Sequence, residues 1–432
     1  MQVSVENVSK LERRLTVRFP AEQVETKVRE RMRELGQTIR LKGFRPGKVP
    51  TKVIEQRFGQ QVRNEAMGDA VRSSFEEAVR QQNLRPAVAP SIRTSPTGDA
   101  KEIEYVATFE VVPDLGPIDV TALHVSRPQA EVVDADVDGM IETLRLQRRQ
   151  WTPVERAAQA GDMVLLEYEA QSGDVRHPAE GMDRIGTVIG SGALFPQFEQ
   201  ALVGIKADER RTVELDFPES FREPSLAGKH AKVQVHAIRV QESHLPALDE
   251  AFAAGFGVRE GGLERFRADV RANLERELKG AVRGRLKREV VDKLVGAHLD
   301  FDVPKGMCDA EAQGLLAQAR QQAERMGAPA PDSTAPFQVA AEKRVRAFLL
   351  LNEVARQNKI NVDQRRVADM LASIASTYEE PEKVVELYSK DAELMSSLRN
   401  SVLEDQVVDW IADHAKVSDE KLSFDQLMKP QG

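Results

Sequence analysis

The chain is predicted to be a multidomain α+β protein in three successive parts: an N-terminal α+β domain, a β-rich middle domain and an all-α C-terminal domain. Three observations predict this. Strand-like alternation at Leu15, Val17 and Phe19, and again from Ile103 to Val111, encloses helical periodicity. Between Thr152 and Val240 short alternating runs are punctuated by glycines. From Leu248 onward apolar residues recur at helical spacings. A length of 432 residues suits about three domains, and 5% aromatic with 30% charged residues suits solvated helical surfaces better than one thick core.

In the first part, Leu15, Val17 and Phe19 alternate with Arg14, Thr16 and Arg18, giving a half-buried strand. Val24, Val28, Met32, Leu35 and Ile39 then mark one face of a helix. Gly43-Phe44-Arg45-Pro46-Gly47-Lys48-Val49-Pro50 follows. Its two glycines and two prolines exclude a helix and predict a compact loop presenting Phe44, Arg45 and Lys48. Pro50 suits the first turn of a second helix carrying Val53, Ile54 and Phe58. Ile103, Tyr105, Ala107, Phe109 and Val111 form a closing strand. Residues 1–60 hold 14 Lys/Arg against 7 Asp/Glu, a balance of +7, so the remainder carries −15 of the net −8. A basic head on an acidic body points to docking of one end on an anionic partner and excludes general nucleic-acid binding by the whole chain.

Val112-Pro113-Asp114-Leu115-Gly116-Pro117 marks a boundary, and a helix runs through Val137, Met140, Ile141 and Leu144 toward Trp151. The middle part alternates at Val164, Leu166 and Tyr168, at Val213, Leu215 and Phe217, and at Val233 and Val235, with one short helix near Phe198 to Leu202. In the last part, Phe266, Val270, Leu274, Leu278, Val282, Leu286, Val290 and Leu294 fall every fourth residue. Each step turns the helix about 400°, so the stripe drifts roughly 40° and needs neighbours on more than one side. Gly280 and Gly284 inside it are costly unless another backbone comes close. Helices continue through Leu315, Phe348, Leu351, Val367, Leu371, Val384, Leu387, Val407, Val408 and Ile411, interrupted at Pro329, Pro331 and Pro336.

On these residues the chain resembles the bacterial trigger factor family of ribosome-associated chaperones. Gly43-Phe44-Arg45-x-Gly47-Lys48-x-Pro50 is similar to the family's ribosome-binding loop. Phe195-Pro196-Gln197-Phe198-Glu199-x-Ala201-Leu202-x-Gly204 is similar to the core of FKBP-type prolyl isomerase domains. Asn273-Leu274-Glu275-Arg276-Glu277-Leu278-Lys279 and Tyr388-Ser389-Lys390 also resemble the family. The resemblance spans essentially the whole chain. It implies a ribosome-binding domain over 1–115, a linker and helix over 116–150, an FKBP-like domain over 151–245 and a helical client-binding domain over 246–432. That last domain would form two arms around a cradle.

The resemblance also implies partners and roles. The partners are the large ribosomal subunit, met at ribosomal protein and ribosomal RNA near the tunnel exit, and nascent or unfolded polypeptides, with self-association into a homodimer off the ribosome. Gly43, Phe44, Arg45, Pro46, Gly47, Lys48 and Pro50 would bind the ribosome, with Phe44 as the apolar anchor. Tyr168, Leu194, Phe195, Phe198 and Phe221 would line the isomerase pocket. The X-Pro amide barrier of about 18–20 kcal/mol yields to an apolar cleft with a backbone donor, so neither cofactor nor metal is expected. Three positions depart from the family pattern: Pro46 stands where a cation is common, His177-Pro178 near a usual aromatic, and Val233 where Phe is common. The last two shrink the aromatic cage and predict weaker isomerisation. Met307, Met326, Met370 and Met395 are candidates for a soft client-contact surface or for ordinary helix packing.

A single cysteine, Cys308, excludes an intrachain disulfide and a cysteine zinc site. With opening residues that lack a targeting pattern and no run of membrane-span length, it predicts a cytoplasmic protein with no membrane partner. His230 and His236 would share a strand face roughly 20 Å apart, too far for a common metal. The glycines from Gly186 to Gly192 lack the following Lys-Ser/Thr of a phosphate loop. Three functions fit the residues: a ribosome-tethered chaperone with an embedded isomerase, an isomerase acting mainly off the ribosome, and a helical scaffold with a degenerate isomerase fold.

Overall fold

The computed structural model describes residues 1–39, 51–95, 102–221 and 223–429. The chain forms two compact units, Met1–Pro128 with Arg283–Glu420, and Gln129–Val282 with Lys421–Gly432. Among the described residues no helix is long and apolar enough to cross a membrane.

The first unit opens with β1 (Gln2–Asn7), β2 (Glu12–Pro20), α1 (Ala21–Thr38), α2 (Thr51–Gln81), β3 (Ser91–Ser95) and β4 (Glu102–Glu110). The strands make an antiparallel sheet in the order β1-β2-β4-β3. The alternation read from sequence sets Leu15, Val17 and Phe19 opposite Ala107, Tyr105 and Ile103. This face is buried beneath Val24, Val28 and Met32 of α1 and Ile54, Val62, Val71 and Phe75 of α2. Tyr105 is fully buried, and its hydroxyl finds Ser74 Oγ at 3.1 Å, so the strand and α2 satisfy each other's polar atoms. Phe75 meets Phe109 edge to face at 5.2 Å. An extended stretch follows, burying Ile118, Val120 and Leu123, and leads into β5 (His124–Gln129).

The second unit begins with α3 (Asp134–Gln147) and β6 (Gln150–Pro153). Its sheet continues with β7 (Met163–Ser172), β8 (Val175–His177), β9 (Asp183–Val188), the short helix α4 (Pro196–Leu202), β10 (Arg210–Asp216) and β11 (His230–His244). The strand path is β10-β11-β7-β8, with β6 also on β11 and β9 also on β7. Val164, Leu166, Leu215, Val233 and Val235 supply its core from the predicted alternation. Val233 is fully buried there.

Next come α5 (Glu250–Ala254) and the long α6 (Gly262–Ala297). The drifting stripe of α6 finds its two sets of neighbours. Phe266, Val270 and Leu274 pack with Val137, Ile141 and Phe252 in the second unit. Val290 and Leu294 pack in the first unit with residues of α8 (Gln338–Gln357) and α11 (Ala392–His414). Between those helices the chain passes through α7 (Lys305–Met326) before α8, and α9 (Gln364–Ala375) and α10 (Pro381–Lys390) before α11. Gly280 and Gly284 have no atom within 4 Å of an added Cβ among the described residues, so no close backbone explains them.

One element departs from the expected run of helices. β12 (Lys416–Lys421) pairs with β5, before α12 (Phe424–Met428). Arg127 to Asp419 at 3.0 Å and Ser126 Oγ to Glu420 at 3.2 Å tie the two strands by side chains as well.

Candidate functional site

The pocket residues named from sequence come from separate elements and meet. Tyr168 lies on β7, Leu194 and Phe195 in the loop entering α4, Phe198 on α4 and Phe221 in the loop after β10. Ring centroids stand 5.8 Å apart for Tyr168–Phe198 and for Phe195–Phe198, and 6.0 Å for Phe195–Phe221. Phe198 is only 2% exposed and forms a floor, while Tyr168, Leu194, Phe195 and Phe221 are half-buried around it. Local sequence explains the arrangement. Pro196 at the start of α4 fixes the turn, so Phe195 and Phe198 project from one side of it.

Two members of the site escape a motif-based reading. Phe217 closes the ring set, 5.1 Å from Phe195 and 4.8 Å from Phe221, although sequence assigns it only to a strand core. Glu199 is the second. Its buried carboxylate accepts from the backbone N–H of Gly190 at 2.9 Å, Gly192 at 3.2 Å and Leu194 at 3.1 Å. Gly190 and Gly192 have φ of +85° and +73°, which lets the loop turn its N–H groups toward that acid. Burial opposes the charge, but these N–H donors and the Ser191 hydroxyl outweigh it and hold the carboxyl below its usual range. Glu199 thereby fixes the loop that presents Leu194 and Phe195. The available signal is an acid beside Phe198 in the short helix that follows Gly190-Ser191-Gly192.

The site has one open backbone donor and one open hydroxyl. Among the described residues, neither the Phe195 N–H nor the Tyr168 hydroxyl has a hydrogen-bond partner. Burial pushes the Tyr168 phenol up, and the charges of Asp183 and Glu223 add to it. Tyr168 therefore stays a neutral donor at ordinary pH. His177 is tied to Asp183 at 3.1 Å and gives this edge a polar character.

The other sequence candidates sort differently. Gly43, Phe44, Arg45, Pro46, Gly47, Lys48 and Pro50 lie outside the described residues. Of the methionines, Met370 and Met395 pack with Val367, Leu398 and Val402 and serve helix contacts, whereas Met307 packs beside Cys308 and stays half-buried. Met326 at the end of α7 is 70% exposed. Cys308 is buried, and burial raises its thiol, which suits an inert packing residue. His230 lies 2.8 Å from Asp216, and His236 lies 3.7 Å from Glu167.

The first unit contains an open groove of ≈ 910 Å³ along α6, α7 and α8. Val291, Met307, Val345, Phe348 and Leu351 give it an apolar floor, and Lys287, Arg288, Arg344, Glu311 and Glu404 give it charged sides. Phe348 is 39% exposed there.

Comparison with known proteins covers the chain in three segments. Residues 1–144 match the model described as bacterial trigger factor protein, residues 154–240 that of FKBP-type peptidyl-prolyl cis-trans isomerase, and residues 262–413 that of the bacterial trigger factor C-terminus. The curated protein "Trigger factor" of Xanthomonas oryzae pv. oryzae strain PXO99A is 52% identical over 99% of this chain and 100% of its own length. Proteins of the same name from Xanthomonas axonopodis pv. citri and Stenotrophomonas maltophilia are 51% and 47% identical, each over 99% of this chain and 100% of their own.

Proposed function

This chain belongs to the bacterial trigger factor family, and from that premise we propose how its residues divide the work. It is a ribosome-associated chaperone that carries an FKBP-type prolyl isomerase domain. The observation that carries the isomerase assignment is the convergence of Tyr168, Leu194, Phe195, Phe198 and Phe221 on one half-buried ring cluster.

In the proposed mechanism the proline ring of an X-Pro segment rests on Phe198, between Phe195, Leu194, Phe221 and Tyr168. Transfer of the amide from water to these ring faces weakens the polar planar form relative to the twisted one. The unpartnered Phe195 N–H donates to a substrate carbonyl and holds the segment while the amide turns. Glu199 keeps that loop in place, so little reorganisation accompanies catalysis. No bond is made or broken.

Ribosome docking is assigned to Gly43, Phe44, Arg45, Pro46, Gly47, Lys48 and Pro50, on the large subunit near the tunnel exit. Phe44 buries an apolar anchor there, while Arg45 and Lys48 meet acidic side chains or phosphates. Pro46 stiffens the loop and lowers the entropy lost on docking. The local balance of +7 over residues 1–60 supports this reading. The groove around Phe348 and Leu351, with the exposed Met326, is assigned to client contact. The protein acts in the cytoplasm and self-associates as a homodimer when off the ribosome.

Replacing Phe44, Arg45 and Lys48 together with Ala tests the docking assignment by co-sedimentation with ribosomes. Binding is expected to be lost, and unchanged binding would remove the loop from the account.

A further inference from the structure

At the edge of the ring cluster three polar side chains meet from three elements. His177 closes β8, Asp183 opens β9, and Glu223 follows Phe221 by two residues. The imidazole lies between the two acids, with Nε2 at 3.1 Å from Asp183 and Nδ1 at 3.9 Å from Glu223. Asp183 stands directly opposite Tyr168 in the β7–β9 register. Both carboxylates reach the Tyr168 phenol electrostatically, adding to the larger effect of its burial.

The neighbouring charges on β7, β8 and β9 are paired. Arg176 pairs with Glu169, Arg184 pairs with Glu167 at 2.7 Å, and His236 also faces Glu167. Among the described residues, Asp183 and Glu223 meet no lysine or arginine. Their side chains keep 49% and 37% of their exposure, so they are open to an incoming chain.

We propose that this edge selects client segments with lysine or arginine immediately before the proline, and that His177, Asp183 and Glu223 are specificity-determining residues of the isomerase. The proposal rests on the ring cluster being the proline pocket. A residue preceding the bound proline projects beside that pocket. A lysine or arginine there can lay its methylene stem along Tyr168 and Phe221 while its charge reaches the two acids. The low-dielectric ring faces on one side weaken screening of that attraction. An acidic residue in the same place meets two like charges. An apolar side chain at position 177 would make no polar contact with the two acids, so His177 alters what the edge can distinguish.

The test uses the full-length protein and tetrapeptides that differ only in lysine, leucine or glutamate before the proline, with kcat/KM for isomerisation as the readout. The expected order is lysine, leucine, glutamate, with a lysine-to-glutamate ratio of about tenfold at low ionic strength that shrinks in about 0.5 M salt. Asp183→Asn with Glu223→Gln is expected to bring the ratio to within about twofold. Each single substitution should produce part of that change. Both positions are at the surface, and the salt dependence of the unsubstituted protein provides a second reading without any variant. Equal rates on the three peptides, or a ratio indifferent to salt and to both substitutions, overturns the proposal. Isomerisation of none of the peptides would instead overturn the pocket assignment on which it rests.

Discussion

The ring cluster and the groove along α6, α7 and α8 are both apolar, yet they are built on opposite plans. The cluster concentrates five aromatics with centroids 4.8–6.0 Å apart, over a floor of Phe198 and Phe217, and a buried carboxylate braces its loop. The groove is mostly aliphatic, with Val291, Met307, Val345 and Leu351, one partly exposed aromatic, Phe348, and charges along its sides. A fixed cage of rings can favour one twisted amide because its shape does not relax. An open aliphatic surface with a flexible methionine can accept many sequences at modest strength. On the proposed assignments, one chain separates selective catalysis from unselective holding by where its aromatics go.

The largest way to break this contrast is Phe198→Ala. Removing a floor ring that is 2% exposed should cost the isomerase domain about 3–5 kcal/mol and abolish isomerisation, measured by thermal unfolding and a proline-limited refolding assay. Aggregation suppression through the groove should persist.

Acid separates the two regions next. Glu353 on α8 is buried and bonded to Arg356 at 2.9 Å, with Gln357 at 2.8 Å and Arg85 at 3.6 Å. The Arg356 hydrogen bonds, against the cost of burial and aided by Gln357 and Arg85, lower its carboxyl from 4.5 to about 2. Its contribution is complete above the unfolded value and is lost as pH falls from about 4.5 toward 2. The shift corresponds to on the order of 3 kcal/mol. Glu353→Gln should flatten that part of the acid-denaturation curve of the first unit, and an unchanged curve would deny Glu353 this role.

Glu199→Gln sharpens the comparison within the cage. An amide replaces one acceptor with a donor facing the loop N–H groups, a loss of about 1–3 kcal/mol. Because the loop carries Phe195, kcat should fall more than KM rises, whereas a purely structural loss would lower the amount of active protein and leave both constants unchanged. The smallest effect lies in neither region. Gly280→Ala places a methyl where nothing stands within 4 Å and should stabilise α6 by about 0.5–1 kcal/mol, seen as a small rise in Tm.

Much of this architecture is legible in the residues because the relevant signals are periodic. Leu15, Val17 and Phe19 alternate as the buried face of β2, and the four-residue stripe of α6 anticipates its two sets of neighbours. β12 is not legible. Lys-Val-Ser-Asp-Glu-Lys has one apolar residue, and its partner β5 lies about two thirds of the chain away, so pairing and side-chain bonds define the strand instead of a buried face. Within the site, four of the five rings stand at positions named from sequence, while Phe217 reads there only as strand core. The role of Glu199 depends on where three backbone N–H groups point once the Gly190–Gly192 loop has turned, and composition does not carry that. The glycines inside α6 invite a packing explanation that the helix surroundings do not supply.

The central claim is that holding and isomerisation reside on different surfaces, and Phe348→Ser addresses it most directly. One preparation of this variant is assayed for suppression of aggregation of an unfolded client and for isomerisation of a proline tetrapeptide. The account predicts holding weakened about two- to fivefold with tetrapeptide kcat/KM unchanged. Holding at the unsubstituted level, or a parallel fall in both activities, would contradict it.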